Sequence, residues 1–324
     1  MKHKIFEGKS IIIAVPNHFE LPQRFKENLE YLGFRVFLLL GRRAAIPLKD
    51  KIIHGYKKFF FGDKSYKCIV SNSIGKLDLL KQLSNINKVE YALFIRPDLF
   101  DFEVVKRVKE ISKKMVAYQW DGMERFPLVK KYIDLFNKFY VFDSNDVKIS
   151  PKLEPTTNFY FDDILVKKDI EPRTVFFVGT YAKDRIPLLE NIISKLEENN
   201  LIPKFYLFSD KKREVHKGIE IISAYFSFKE SAIRAQKAEY MLELHNPIHN
   251  GLSFRTFESI GYEKKLITNN NLVETQDFYR PSNIFVINKN YEGFKEFLTA
   301  PYEALEPTIR EKYSFSNWIT QLLK

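Results

Sequence analysis

Residues 242–270 indicate the fold of this chain, and they read LELHNPIHNGLSFRTFESIGYEKKLITNN. A strand expected at 240–244 ends in polar residues, a Gly-Leu-Ser turn opens a helix at 253–261, and a second apolar strand follows at 265–268. Strands joined by a crossover helix run parallel to each other. A short apolar run without alternation is also typical of a strand that is buried on both faces. We therefore expect a parallel sheet with helices on both sides.

The same alternation of strand and helix extends through both halves of the chain. Further strands are expected at 10–15, 34–40, 91–95, 114–118, 138–142, 174–178, 204–208, 219–222 and 284–287. Helices are expected near 25–32, 102–111, 186–199, 228–238 and 315–323. The proline-rich segment 151–173 interrupts this rhythm and is typical of a linker.

The pattern predicts an α/β fold with two Rossmann-like, doubly wound domains that face a central cleft. The N-terminal domain would span 1–150, the linker 151–173 and the C-terminal domain 174–324. The pattern leaves open whether the last helix, about residues 313–324, packs back toward the N-terminal domain.

Composition excludes several classes of protein. The 324 residues include a single cysteine, Cys68, so the chain has neither an intrachain disulfide framework nor a multi-cysteine zinc site. Its longest apolar runs are far shorter than the roughly 20 residues that span a bilayer. Glycine-rich dinucleotide, P-loop and serine-hydrolase motifs are absent from the sequence. These observations predict a cytoplasmic protein that is neither secreted nor transmembrane.

Charge is distributed unevenly. The formal net charge is +11, and residues 1–150 carry all of this excess while residues 151–324 are neutral. A basic domain attracts an anionic partner such as nucleic acid, lipid headgroups or a charged polymer. The alternative is that pairs such as Lys57-Lys58 only keep a surface solvated.

Arg255 and Glu258 are three residues apart and therefore lie on one face of the helix expected at 253–261. A strand-to-helix turn offers backbone N–H groups to a diphosphate, and an arginine in the first turn adds positive charge. A glutamate one turn later can accept two hydrogen bonds from a ribose diol. The alternative is a solvated ion pair within the helix.

The segment 251–268 resembles the donor-site signature of GT-B glycosyltransferases. The likeness is strongest to bacterial lipopolysaccharide-core and spore-maturation-type enzymes, and segments 118–122, 140–143 and 176–180 share it. The resemblance implies that the second domain binds a nucleotide sugar, that the first binds the acceptor, and that no metal or other cofactor is required.

In this chain, the resemblance implies that Glu258 binds the ribose and that Arg255 is a candidate for neutralising the phosphates. The remaining candidates for donor binding are Asn250, Gly251, Ser253, His245, Gly179 and Thr180. Many retaining members have a glutamate eight positions before the ribose glutamate, where this chain has Asn250. An inverting mechanism, which needs a general base, is therefore the alternative to consider.

Asp121 is the best-placed carboxylate for that base, because it follows a predicted strand and adjoins Trp120, an aromatic residue suited to an acceptor sugar. The competing interpretation is that Asp121 caps a helix that begins after it. His245 and His249 have no third or fourth ligand at the spacing of a zinc site, and Asp162 and Asp163 lie in the expected linker, so no metal site is predicted.

The leading hypothesis is a metal-independent glycosyltransferase that moves a sugar from a UDP- or dTDP-linked donor to a lipid-linked or surface-glycan acceptor, as in lipopolysaccharide-core or capsule biosynthesis. Its basic domain would hold it at the inner face of the cytoplasmic membrane. The alternatives are a non-catalytic two-domain protein that binds a small ligand and a GT-B-like sugar-nucleotide epimerase. Nucleic-acid binding is not expected, because no recognition motif accompanies the charge.

Overall fold

The computed structural model describes residues 5–17, 20–41, 45–63, 65–164 and 169–324. By its internal contacts the chain divides into two compact units. Unit 1 comprises Met1–Thr157, Pro247–Gly251 and Ile319–Lys324, and unit 2 comprises Asn158–Asn246 and Leu252–Trp318. Each unit is built around one parallel sheet of six strands.

The sheet of unit 1 has the strand order β2-β1-β3-β4-β5-β6. Its strands are β1 (Ser10–Pro16), β2 (Arg35–Gly41), β3 (Val89–Ile95), β4 (Ser112–Gln119), β5 (Lys138–Val141) and β6 (Leu153–Pro155). The helices between them are α1 (Leu21–Tyr31), α2 (Leu48–Phe61), α3 (Tyr66–Ser84) and α4 (Phe102–Ile111). Ile11 and Ile12, which point to opposite faces of β1, are both fully buried. The sheet is therefore covered on both sides, as its uninterrupted apolar strands predicted.

The sheet of unit 2 has the order β12-β11-β10-β7-β8-β9. Its strands are β7 (Glu171–Thr180), β8 (Ile202–Phe208), β9 (Ile219–Ile222), β10 (Ala238–Glu243), β11 (Lys265–Thr268) and β12 (Ile284–Val286). Its helices are α5 (Ile186–Glu198), α6 (Phe228–Lys237), α7 (Phe254–Gly261), α8 (Phe294–Thr299) and α9 (Pro307–Lys312), and α10 (Phe315–Leu323) ends the chain. One core packs around Phe177 and Leu242 beneath α5 and α8, and another packs around Phe176 and Met241 beneath α6 and α7.

The structure confirms the predicted α/β class and differs from the predicted elements in several places, among them the short helices α8 and α9, which were not predicted. Leu153–Pro155, inside the expected linker, pairs with β5 as the edge strand β6. An edge strand tolerates Pro155 because one side of it needs no partner. Another difference is the helix pair α2 and α3, for which the apolar pattern gave no prediction.

Lys264 is a charged residue inside unit 2 that the fold has to accommodate. It is only 3% exposed, and its Nζ atom has no hydrogen-bond partner among the described residues. Burial lowers the pKa of the Lys264 ammonium from 10.5 to about 8, with partial opposition from the charge of Glu239. The folded state therefore binds this proton less tightly than the unfolded chain does.

We expect Lys264→Met to raise the free energy of unfolding by about 2–3 kcal/mol at neutral pH. The gain should persist below the folded pKa of about 8 and shrink as the pH rises from there through 10.5, above which the wild-type lysine is neutral in both states. Urea unfolding at several pH values measures this difference, with the exposed Lys295→Met as the matched control. A destabilised Lys264→Met at neutral pH would contradict the prediction.

Candidate functional site

The strand order of unit 2 shows which of its residues lie where open α/β sheets usually bind ligands. Its chain order reverses between β7 and β10, and open α/β sheets bind ligands outside the carboxyl ends of the strands at such a reversal. Gly179 and Thr180 end β7, and Glu243 ends β10. The Thr180 hydroxyl lies 3.1 Å from the Tyr225 hydroxyl, and the Tyr225 ring stacks on Phe208.

Glu243 is a buried carboxylate that the sequence analysis did not select. It accepts a hydrogen bond from the Thr268 hydroxyl at the end of β11. Burial raises the pKa of Glu243, while that hydrogen bond and the charges of Arg185 and Arg255 act in the opposite direction. An acidic residue between Leu242 and Leu244, at the end of an apolar strand, was the signal that could have identified it.

The helix α7 carries the pair singled out from the sequence. Arg255 Nη1 lies 2.7 Å from Glu258 Oε2, and the Arg255 guanidinium lies 5.3 Å from the centroid of the Phe176 ring. Glu258 is only 5% exposed, and burial raises the pKa of its carboxyl against the effect of Arg255. The ion pair considered in the sequence analysis therefore exists, but it is buried rather than solvated.

The start of α7 and the loop before it provide further polar groups. Ser253 is the residue before the helix, in an extended conformation, and its side chain makes no capping hydrogen bond to the helix backbone. The backbone N–H of His245 donates to Asn269 Oδ1 at 2.7 Å. Ser253, Arg255 and His245 thus lie in unit 2 together with Glu243 and Glu258.

Asn250 and Gly251, predicted to lie beside the donor diphosphate, belong to unit 1. The backbone N–H of Asn250 donates to Asp143 Oδ2 at 2.9 Å, and its side-chain amide donates to the Ser144 hydroxyl at 2.6 Å. A Cβ atom on Gly251 would lie 2.6 Å from the Phe142 ring, so only glycine fits there. The structure therefore divides the predicted donor residues between the two units.

Unit 1 has its own reversal of strand order, between β1 and β3, and Arg96 directly follows β3. Arg96 has a φ of 58°, in the left-handed region that is unfavourable for a residue with a side chain. Its guanidinium donates to both carboxylate oxygens of Asp98, at 2.8 and 2.7 Å, and to Asp121 Oδ2 at 2.5 Å. It also stacks on the Phe126 ring, 3.6 Å from the centroid.

The other oxygen of Asp121 is near two more groups, the Arg125 guanidinium at 3.5 Å and His249 Nε2 at 3.8 Å. His249 Nδ1 accepts a hydrogen bond from the backbone N–H of Gly122 at 3.3 Å. A neutral His249 therefore carries its proton on Nε2, directed toward Asp121. Trp120, the predicted acceptor residue, is half-buried beside this cluster.

The interpretation of Asp121 as a helix cap is wrong. The residues after it form turns, and the next helical segment is the 3₁₀ helix Pro127–Leu135. The carboxylate contacts the arginine side chains of Arg96 and Arg125 and so is not committed to a helix terminus.

In the part of the chain that the structure describes, no group of three or more histidine, cysteine, aspartate or glutamate residues could hold a metal ion. Among the described helices, none is long and apolar enough to cross a membrane.

The chain is similar to several solved structures, all with low sequence identity. A proposed UDP-N-acetylglucosamine 2-epimerase from Listeria monocytogenes is similar over 94% of each chain, with a TM-score of 0.51 and 9% identity. An α,α-trehalose-phosphate synthase (UDP-forming) from Burkholderia vietnamiensis matches 98% of this chain and 97% of its own, with a TM-score of 0.48 and 8% identity. A UDP-glucosyltransferase from Polygonum tinctorium matches 98% and 90%, with a TM-score of 0.42 and 9% identity.

No protein-family profile matches the chain, and no curated protein matches its sequence. The likeness to the Listeria structure confirms the expected α/β fold with two Rossmann-like domains, which is the fold type of GT-B enzymes.

The two carboxylates that hold Arg96 should differ in their effect on stability. Asp98 is buried and binds Arg96 through two hydrogen bonds, whereas the Asp121 side chain is 21% exposed. We expect Asp98→Asn to lower the free energy of unfolding by about 3 kcal/mol, because it weakens the pairing of a buried guanidinium. Asp121→Asn should cost about 1 kcal/mol.

Unfolding of both variants in guanidinium chloride measures these losses in the free energy of unfolding. The control is Asp134→Asn, which removes a carboxylate from an exposed ion pair with Lys152 and should leave the stability nearly unchanged. Equal losses for Asp98→Asn and Asp121→Asn would show that the two carboxylates hold Arg96 equally.

Proposed function

We propose that this protein is a glycosyltransferase that takes its sugar from a nucleotide-diphosphate donor bound by unit 2. The observation that carries the proposal is the set of charged groups at the strand-order reversal of that unit. Arg255 contacts Glu258 and acts on the charge of the buried Glu243, which ends β10 beside the reversal. Perturbed, buried carboxylates with a charge partner are typical of functional sites.

The chemistry of a diphosphate leaving group fits these residues. Arg255 in the first turn of α7, Arg185 near Glu243 and the backbone N–H groups that begin α7 would neutralise the two phosphates as the bond to the sugar breaks. When the phosphates attract Arg255, Glu258 is released from its ion pair and can accept hydrogen bonds from the ribose hydroxyls. Gly179, Thr180, Ser253 and His245 remain the further candidates for donor contacts, and metal independence stays a prediction.

The acceptor would bind unit 1, with Asp121 as the general base. Arg96 fixes one oxygen of Asp121, while the other faces Arg125 and His249. A carboxylate held in this way is oriented, and it can take the proton of an acceptor hydroxyl as that oxygen attacks the sugar. Asn250, bound to Asp143, stands where the resemblance places a glutamate in many retaining members, which favours inversion.

The finer identity of the substrates rests on the sequence. The resemblance to lipopolysaccharide-core and spore-maturation-type enzymes suggests a lipid-linked or surface-glycan acceptor and a UDP- or dTDP-linked sugar. The basic residues 1–150 suit an enzyme that works at the anionic inner face of the cytoplasmic membrane.

A sugar-nucleotide epimerase is the second candidate. The Listeria structure that this fold resembles is named as a UDP-N-acetylglucosamine 2-epimerase, and such an enzyme would need the same donor site. The two functions differ in whether the sugar is passed to an acceptor or changed in configuration at one carbon.

We expect one of UDP, GDP, CMP or dTDP, or its sugar, to raise the melting temperature of the wild type. A ligand at 100 times its Kd adds about 2.7 kcal/mol of stability. Glu258→Ala and Arg255→Met should lose most of the shift, each judged against its own melting temperature without ligand. The exposed Glu296→Ala in α8 is the matched control and should keep the shift.

The stabilising nucleotide sugar then serves as substrate in a turnover assay. Release of nucleotide that depends on added glycan or glycolipid acceptor supports transfer, and a changed configuration of the sugar without acceptor supports the epimerase. Stabilisation without any turnover would favour the non-catalytic binding protein, and the absence of any thermal shift would overturn the proposed donor site.

Donor affinity should also depend on pH. Burial raises the pKa of Glu258 above its ordinary value of 4.5, and only the ionised carboxylate accepts two hydrogen bonds from the ribose. The Kd of the stabilising nucleotide should therefore increase as the pH is lowered from about 8 to about 5. Glu258→Gln should remove this dependence, and an identical pH profile in that variant would exclude Glu258 as its origin.

A further inference from the structure

The helix α2 of unit 1 contributes very little to the protein core. Within this fully described helix, Asp50 is the one buried residue. Asp50 accepts a hydrogen bond from the Tyr66 hydroxyl of α3 at 2.8 Å, and Lys57 lies over the Tyr66 ring. One polar edge therefore attaches α2 to α3, and most of the helix surface faces outward.

The outward surface of α2 is apolar. Leu48, Ile52, Tyr56, Phe59 and Phe60 are each at least 55% exposed, and Phe59 reaches 83%. Their spacings of three, four and eight residues place them on one side of the helix, and we call them the α2 apolar stripe. Exposed rings also contact each other, with Tyr56 and Phe59 lying 4.7 and 5.0 Å from Phe60 between ring centroids.

Hydrophobic residues are ordinarily exposed singly, and a contiguous exposed patch marks an interaction surface. The 14 residues of α2 extend about 21 Å, at about 1.5 Å per residue. The helix can therefore lie in a membrane interface, although it cannot cross the membrane.

The charges on α2 identify the kind of partner. The helix carries Lys49, Lys51, Lys57 and Lys58, and its single acidic residue, Asp50, is turned inward and bonded to Tyr66. On a helical projection Lys51 and Lys58 lie along one flank of the stripe, and Lys49 projects between Tyr56 and Phe60. This is the arrangement of helices that insert apolar side chains below anionic headgroups while their lysines stay among the phosphates.

A second copy of this chain fits the surface less well. Pairing two α2 helices would bring their lysines together without an exposed carboxylate on either helix to offset them. Anionic lipid supplies that missing negative charge and an apolar layer at the same time.

We propose that α2 is a membrane-docking helix that inserts the α2 apolar stripe into the interface of an anionic bilayer. This inference deepens the proposed function, because it assigns a surface to the membrane location suggested there. Vesicle binding requires neither donor nor acceptor, so it can fail while the donor-induced thermal shift remains, and the reverse is equally measurable.

The test is sedimentation of the full chain with vesicles of phosphatidylglycerol and phosphatidylcholine. Wild type should bind these vesicles, and Ile52→Ser with Phe59→Ser and Phe60→Ser should weaken binding at least about tenfold. Lys51→Gln with Lys58→Gln should weaken binding by about fivefold per lysine and reduce its salt dependence.

The matched controls change similar residues in unit 2. Ile170→Ser with Ile202→Ser replaces two half-exposed apolar residues, and Lys289→Gln with Lys295→Gln removes two exposed charges. Both pairs should bind vesicles like wild type. Because the replaced α2 side chains are exposed, the triple variant should keep the wild-type melting temperature and the donor-induced thermal shift.

A fluorescent reporter measures insertion directly. Phe59→Trp should shift its emission to shorter wavelength on anionic vesicles, and lipids brominated in their acyl chains should quench it. Wild type that does not bind phosphatidylglycerol vesicles would overturn the proposal. Vesicle binding that survives the triple variant would also overturn it, as would a dimer in solution that the triple variant dissociates without any lipid binding.

Discussion

Parallel strand pairing is the constraint on which both units depend. The register of every described pair of strands is parallel, so in each sheet the carboxyl ends of all the strands lie at one edge. Where the strand order reverses, the connections leave in opposite directions and open a crevice at that edge. Arg96 follows a strand at one reversal, and Thr180 and Glu243 end strands at the other.

Charged groups are buried near both reversals. Isolated buried charges are costly, and each one here has a partner: Arg96 has Asp98 and Asp121, and Glu258 has Arg255. A buried ion pair is weak evidence for stability, because well-packed apolar residues often serve as well. The proposed function accounts for these charges through a ligand whose own charges would exchange with these partners. A diphosphate with a ribose has that chemistry, since it offers anions to Arg255 and hydroxyl donors to Glu258.

The helix α2 shows the opposite distribution of apolar and charged residues. Its apolar side chains are exposed and its acidic residue is inside, so the folding of unit 1 gains little from burying it. An amphipathic helix usually directs its apolar side toward the core. In α2 the apolar side faces outward and lysines lie near it. This arrangement is expected when the apolar partner lies outside the protein. The positive excess of residues 1–150 would then act together with this helix.

Local sequence determined most of the fold, because a buried parallel strand needs an unbroken apolar run and an amphipathic helix needs a regular apolar stripe. β9, β11 and α10 lie at their predicted bounds, and the Arg255 and Glu258 contact follows from helix spacing alone. The helices α2, α3, α8 and α9 were not predicted, and α2 in particular has no stripe facing the core.

The remaining features depend on residues that are distant in sequence. Only the register of β3 beside β4 brings Arg96 to Asp121, and only the folded chain brings Asn250 to Asp143, 107 residues away. Burial is likewise a property of the whole unit, so the pKa shifts of Glu243 and Lys264 could not be inferred from their neighbours in sequence. Sequence therefore determined most of the strands and helices, and tertiary structure decided which charges meet. The reason is that a local pattern encodes periodicity but not contacts between residues that are far apart in sequence.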